Sequence, residues 1–134
     1  MKTNDLIPKI SIGDIRFDAN VAALIALGYT EDVEGFDDFL NWHTYRKDAD
    51  IACYVKDDSV ISVACFANCT FNGDNLIGKC VNDLISILGA PNEIGESVWV
   101  DEDRKQIPYE YFDAGLQVWF ENGYVVSVFC NSEY

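Results

Sequence analysis

Apolar residues recur at helical spacing in two places in the chain. Segments 21–25 and 81–88 both carry them at positions i, i+3 and i+4, so each forms one apolar stripe on a helix. Both patterns stop at a Leu-Gly step, at Gly28 and Gly89, where glycine supplies the left-handed conformation that ends a helix. Pro91 blocks any continuation of the second helix. The pattern predicts two short amphipathic helices.

Alternating apolar and polar residues follow each predicted helix, which is the period of a β-strand. Asn122-Gly123, between two apolar runs, is a strong hairpin signal. Aromatic-rich segments before each hairpin add a third strand. Each helix is therefore followed by a predicted three-stranded antiparallel meander. The predicted strands are 39–46, 51–55, 60–66, 109–112, 116–120 and 124–130.

The two predicted units share three sequence blocks at one offset, which indicates an internal repeat. We predict an α+β fold, a tandem repeat of a short helix packed on a three-stranded meander, whose two sheets can be continuous. Chain 1–134 is then a single domain. Unit 1 covers about 9–66, a linker about 67–75 and unit 2 about 76–131. The matching blocks are Ile12-Gly13 with Ile77-Gly78, Asp48–Val55 with Asp113–Phe120, and Val60–Cys65 with Val125–Cys130.

Strand alternation places Tyr54 and Trp119 on the face of the sheet that the helices leave open, together with Phe129. Aromatic residues on an open face have the composition of protein-binding hot spots. The same residues could instead pack between the two units as ordinary core. The sequence leaves both interpretations open.

The charge balance changes which partners are plausible. Lys+Arg is 9 against Asp+Glu 23, a formal net charge of -14. This charge disfavours nucleic acid and anionic membranes as direct partners and favours a basic protein, although acidity can also serve solubility alone. We expect acidic connections to flank the aromatic face. The predicted partner-binding residues are Glu31, Asp32, Glu34, Asp37, Asp38, Tyr54, Asp101, Glu102, Asp103 and Trp119.

The five cysteines are an odd number, and no apolar signal segment follows the first residues. Both features predict a cytoplasmic protein with free thiols.

Catalytic signatures are weak. His43 is the single histidine, and its pairing with a cysteine, or with Cys65 and Cys69 around zinc, has no supporting motif. The acidic clusters lack the spacing of a calcium loop. We expect no catalytic residues, no metal and no cofactor, and therefore binding rather than catalysis.

One motif resembles a known group of proteins. The second half combines Leu88-Gly89-Ala90-Pro91 with the run from Gly115-Leu116-Gln117-Val118 to Asn122-Gly123. This pattern resembles small immunity proteins of bacterial polymorphic toxin systems, including contact-dependent growth inhibition. The doubled helix-plus-sheet unit is also similar to the architecture of the beta-lactamase inhibitor protein. The resemblance implies a cytoplasmic protein that neutralises a cognate toxin, often a nuclease with a basic surface, and it carries over no individual contact residue.

The leading expectation is therefore an immunity protein that binds and neutralises a cognate toxin domain, a basic nuclease, by acidic surface complementarity. The alternative is a non-toxin protein-interaction or regulatory module. A more distant alternative is a hydrolase that uses acidic residues.

Overall fold

The computed structural model describes residues 4–37, 39 and 41–131, with only the backbone of residues 35–37. The described chain is mixed α+β, as predicted, and mostly sheet. Helix α1 spans Val21–Ala26 and helix α2 spans Val81–Leu88. The strands are β1 (Leu6–Ile7), β2 (Ser11–Ile12), β3 (Ile15–Arg16), β4 (Thr30–Asp37), β5 (Trp42–Arg46), β6 (Ile51–Lys56), β7 (Ser59–Cys65), β8 (Thr70–Phe71), β9 (Asp74–Asn75), β10 (Glu93–Ile94), β11 (Val98–Trp99), β12 (Lys105–Tyr111), β13 (Leu116–Glu121) and β14 (Tyr124–Asn131).

Both helices end at the predicted glycines. Gly28 and Gly89 have φ of 97° and 83°, a region where a side chain would be strained. Asn20 begins α1, because its side-chain oxygen accepts a hydrogen bond from the backbone N–H of Ala23 at 3.0 Å. The Tyr111 hydroxyl donates to the Gly89 carbonyl at 3.0 Å and so ties the end of α2 to β12.

The hairpins β6–β7 and β13–β14 have the same register, 65 positions apart. Ile51 pairs with Cys65 in the first hairpin, and Leu116 pairs with Cys130 in the second. Both ladders shift register at one corresponding point, after Tyr54 and after Trp119. This irregularity is a β-bulge, which bends and twists a strand locally.

Nine strands form one antiparallel sheet in the order β10-β12-β13-β14-β7-β6-β5-β4, with β11 also paired to β12. We call α1 with β4–β7 the first half, and α2 with β10–β14 the second half. The halves meet edge to edge, where β7 pairs with β14 and Ala64 lies opposite Phe129. The two sheets are therefore continuous and do not pack face to face.

The hydrophobic core lies on one side of this sheet, under the helices. Leu24 of α1 and Leu84 of α2 are fully buried, and they belong to one cluster with Val63 and Val128 of the central strands. Ile25 is 59% exposed, so the apolar stripe of α1 is narrower than predicted.

Both predicted three-stranded meanders form, as β5–β6–β7 and β12–β13–β14, but each is extended by strands that the sequence did not predict. The expected acidic connection after α1 forms the edge strand β4, which pairs with β5. The connection after α2 forms the short strands β10 and β11 along β12. Charged side chains are compatible with an edge strand, because only the backbone must pair and solvent reaches the side chains.

The predicted linker 67–75 is also structured. It contains the small hairpin β8–β9, and Cys69 within it is fully buried. Asn4 fixes the segment, since its backbone N–H donates to the Asn68 side-chain oxygen at 3.0 Å and its side chain donates to the Asn68 carbonyl at 3.1 Å. The Thr70 backbone N–H also donates to the Asn4 carbonyl at 2.8 Å, and Asp5 forms a parallel bridge with Thr70, so backbone pairing joins the same two segments. Strands β1, β2 and β3 form a further small sheet that the sequence did not predict.

Candidate protein-binding face

The side of the large sheet opposite the helices carries a row of aromatic side chains. We call this side the open face and define the aromatic row as Trp42, Tyr54, Phe129 and Phe66. Successive ring centroids in the row lie 5.8, 6.0 and 6.5 Å apart. These spacings match attractive aromatic contacts. The row crosses both halves, because Phe129 belongs to β14 and Tyr54 to β6.

Small residues support this row. Ala52 and Ala64 share the open face with the rings, yet both are fully buried. Alanine side chains here leave room for Tyr54 and Phe129 to stack with planes inclined by only 12°. Burial also raises the pKa of the Tyr54 hydroxyl above its ordinary value. The rings therefore form a packed layer rather than independent surface residues.

A shallow apolar groove of about 240 Å³ adjoins the row. Trp119 lies in its wall, and Phe66 and Phe129 belong to both the row and the groove. Apolar concave surfaces with few polar groups are typical binding sites. The groove is lined by Phe66, Val98, Val100, Gln106, Trp119, Ser127 and Phe129.

Hydrogen bonds hold the Trp119 ring in place. Its indole N–H donates to the Gln117 side-chain oxygen at 2.8 Å, and the Gln117 amide donates to Glu110 at 2.8 Å. The ring is oriented before any partner arrives, which lowers the entropic cost of binding.

Two of the predicted acidic sites lie beside this surface. Asp32 of β4 and Tyr54 of β6 both lie opposite Thr44 of β5. Asp32 therefore shares the open face with Tyr54. The exposed turn at residues 101–103 follows Val100, which lines the groove. Within the turn, Asp101 accepts a hydrogen bond from the Asp103 backbone N–H at 3.0 Å. We call these carboxylates, on two sides of the aromatic row, the acidic rim. Two of them already contact a basic side chain, Asp32 with Arg46 at 3.2 Å and Asp101 with Arg104 at 3.5 Å.

Glu31 lies elsewhere. It pairs with the core residue Tyr45, so it points to the helix side of the sheet. Its carboxylate lies 3.0 Å from His43 Nδ1 and accepts a hydrogen bond from the Tyr45 hydroxyl at 3.4 Å. Glu31 is therefore not placed with Tyr54 and Trp119 as predicted, because strand pairing fixes its direction.

The remaining predicted residues are less informative. Glu34 is exposed on the edge strand β4, and Glu102 is exposed in the 101–103 turn. Asp37 belongs to β4 by its backbone, and Asp38 lies outside the described residues.

The structure does not bring His43 together with Cys65 and Cys69, so the alternative zinc site made of these three residues is wrong. His43 faces Glu31, whereas Cys65 and Cys69 come together with Cys130. All five cysteines lie within the described ranges and are free thiols, as predicted.

Sequence reasoning missed Phe66, Val98 and Val100 as parts of this surface. Val98-Trp99-Val100 is an apolar run inside a connection that we described only by its acids. The available sequence signal was this apolar run directly before the acidic residues 101–103. In the structure Val98, Trp99 and Val100 are 46%, 64% and 45% exposed.

Taken together, the open face offers rings and a groove for apolar side chains and an acidic rim for basic ones. Comparisons of the chain with protein-family models, with curated proteins and with solved structures find no match. Among the described residues, neither helix has the length and apolar character needed to cross a bilayer.

Proposed function

We propose that the protein is a cytoplasmic immunity protein that binds a cognate toxin domain, a basic nuclease, through the open face and blocks it without chemistry of its own. The observation that carries this proposal is the aromatic row with its groove on the face opposite both helices of the described chain. Hot spots are commonly aromatic residues surrounded by polar positions that exclude water. The arrangement of Trp119 beside the acidic turn fits that pattern.

Charge selects the partner. The chain has 23 acidic against 9 basic residues, and three of its arginines already contact carboxylates. Those arginines are Arg16, Arg46 and Arg104, and the last two contact the rim carboxylates Asp32 and Asp101. The formal net charge of the chain is still -14, which favours a basic partner. A nuclease must present lysine and arginine to the phosphates of its substrate. Carboxylates of the rim can occupy the same positions and deny them to nucleic acid.

We also infer that the two halves are an internal repeat of one helix-plus-sheet unit. The common register of the two hairpins supports this inference, as do the corresponding bulges after Tyr54 and Trp119. The segment before each helix is bonded alike: Val60 N–H donates to the Ala19 carbonyl at 3.0 Å, and Val125 N–H to the Lys79 carbonyl at 2.9 Å. Doubling the unit produces a sheet wide enough to carry a continuous aromatic face.

The proposal is tested by differential capture followed by a protection assay. Immobilised wild-type protein, Trp119→Ala and Ile25→Ala are incubated at low salt with a lysate of the source cells. Ile25 is an exposed apolar residue on the helix side and serves as the matched control. We expect a basic protein that the wild type and Ile25→Ala retain and Trp119→Ala loses. That protein, expressed alone, should arrest growth, and co-expression of the wild type should restore it.

Two results would contradict parts of the proposal. Capture of a basic protein that is harmless when expressed would favour the non-toxin interaction module. A partner retained equally by all three baits would show that the open face is not the binding surface.

A further inference from the structure

Three cysteine sulfurs meet in the core where the two halves join. Cys65, Cys69 and Cys130 are fully buried, and their Sγ atoms all lie within 4.8 Å of one another. Cys65 ends β7 in the first half, Cys130 belongs to β14 in the second half, and Cys69 lies in the segment that follows β7. The cluster therefore contacts both halves of the sheet at once.

The backbone fixes all three positions. Cys65 pairs with Val128, and Cys130 pairs with Val63, so the two cysteines are diagonal neighbours on adjacent strands. The backbone N–H of Cys69 donates to the Asn75 side-chain oxygen at 3.0 Å. Its carbonyl accepts from the Leu76 N–H at 2.8 Å. A ligand would thus meet sulfurs that are already in place, which is the condition for a tight site.

We propose that Cys65, Cys69 and Cys130 form a binding site for Cu⁺, held by three sulfurs in a trigonal arrangement. Metal–sulfur bonds of about 2.3 Å place three trigonal sulfurs about 4 Å apart. This spacing is compatible with sulfurs that already lie within 4.8 Å of one another. Thiolates are soft ligands, and soft ligands select Cu⁺.

The number of donors separates Cu⁺ from Zn²⁺. Zinc in proteins almost always takes four ligands. Within the described part of the chain, no histidine, aspartate or glutamate joins the three sulfurs in one group. The full burial of the sulfurs also leaves little access for a water molecule as fourth ligand. An ion that accepts three sulfurs therefore fits best.

Burial also determines how protons follow the ion. Cu⁺ with one thiolate of the cluster is neutral, and each further thiol proton released leaves a negative charge away from solvent. Protons compete with the metal, so the apparent affinity for Cu⁺ rises with pH. The ion keeps its oxidation state throughout.

The test uses the reduced full chain without oxygen. Cu⁺ is supplied as a complex with a chromogenic chelator, and transfer to the protein is followed by loss of the chelator colour. We expect uptake of one equivalent and a sulfur-to-copper absorption band in the ultraviolet. Cys69→Ser should bind more than about tenfold more weakly. Cys53→Ser removes a buried cysteine outside the cluster and should bind like the wild type.

A second measurement does not depend on any variant. X-ray absorption at the copper edge of the wild-type complex should show three sulfur ligands. Two sulfurs, or nitrogen and oxygen ligands, would overturn the proposal. It would equally be overturned if the chain took no Cu⁺ from the chelator, if Cys53→Ser weakened uptake as much as Cys69→Ser, or if Zn²⁺ displaced Cu⁺ at equal concentration.

Discussion

Tyr54 in β6 and Phe129 in β14 stack with ring centroids 6.0 Å apart, although strand β7 lies between their strands. The contact joins rings from the two halves of the sheet across the junction where Ala64 faces Phe129. A shift of this junction by one residue would turn Phe129 to the helix side, because side chains alternate along a strand. The register of β7 with β14 therefore creates the continuous open face.

Trp119→Ala should weaken partner binding by about 2 kcal/mol or more while the protein stays folded. Trp119 is only half-buried and lies on the side away from the core, so its loss removes binding contacts rather than core packing. Calorimetric titration with the captured partner measures the change. Trp99→Ala is the matched control, because alternation places Trp99 on the opposite side of β11 from the groove residue Val98. If circular dichroism showed that Trp119→Ala is unfolded, Trp119 would be a residue needed for folding and not a binding residue.

Asp101→Asn combined with Asp103→Asn should lower the association rate more than it raises the dissociation rate. These exposed carboxylates act on the partner at a distance and contribute little once the surfaces touch. The same rate should fall steeply for the wild type as salt is added. Stopped-flow kinetics at two salt concentrations measures both effects. Asp83 is an exposed carboxylate in the first turn of α2, on the helix side of the sheet. The control Asp83→Asn should leave the association rate nearly unchanged.

Leu24→Ala should cost about 2–5 kcal/mol of unfolding free energy, because it leaves a cavity under the sheet. Its neighbour Ile25 is 59% exposed, so Ile25→Ala should cost less than about 1 kcal/mol. Urea denaturation of the two variants tests which face of α1 is buried. Equal losses would contradict the packing described for this helix.

Alkaline pH should destabilise the protein in part through Tyr111. Burial raises the pKa of the Tyr111 hydroxyl from 10.0 to about 12. Folding therefore favours the protonated hydroxyl. The contribution of this hydroxyl to the free energy of unfolding is fully present below pH 10 and is lost as the pH rises to about 12. Tyr111→Phe should lower stability by about 1 kcal/mol at pH 7, through the lost hydrogen bond to Gly89, and should reduce the loss above pH 10. An unchanged alkaline loss in this variant would contradict the assignment.

Local patterns predicted much of this fold. The Leu-Gly steps located the ends of both helices, and alternation with Asn122-Gly123 located the hairpins, because these signals act within a few residues. Alternation also placed Tyr54 and Trp119 on the face opposite the core. The edge strand β4 could not be predicted in this way, since it is stabilised by pairing with β5 while its side chains are acidic.

Contacts between distant segments explain the other differences. The structure of 67–75 depends on Asn4, which is far away in sequence. The groove is lined by both Phe66 and Val98, although β14, β13 and β12 lie between the segments that carry them. The three-sulfur cluster depends on the pairing of β7 with β14. None of these relationships has a period or motif that a local pattern could reveal.

The central claim is that the open face binds the partner, and side-chain footprinting with hydroxyl radicals tests it most directly. The protein is oxidised alone and in complex with the captured basic partner, and oxidation of each side chain is measured by mass spectrometry. We predict protection of Tyr54, Phe66 and Trp119 in the complex, with Ile25 on α1 unchanged. Protection of Ile25 with no change at the three aromatic residues would contradict the account.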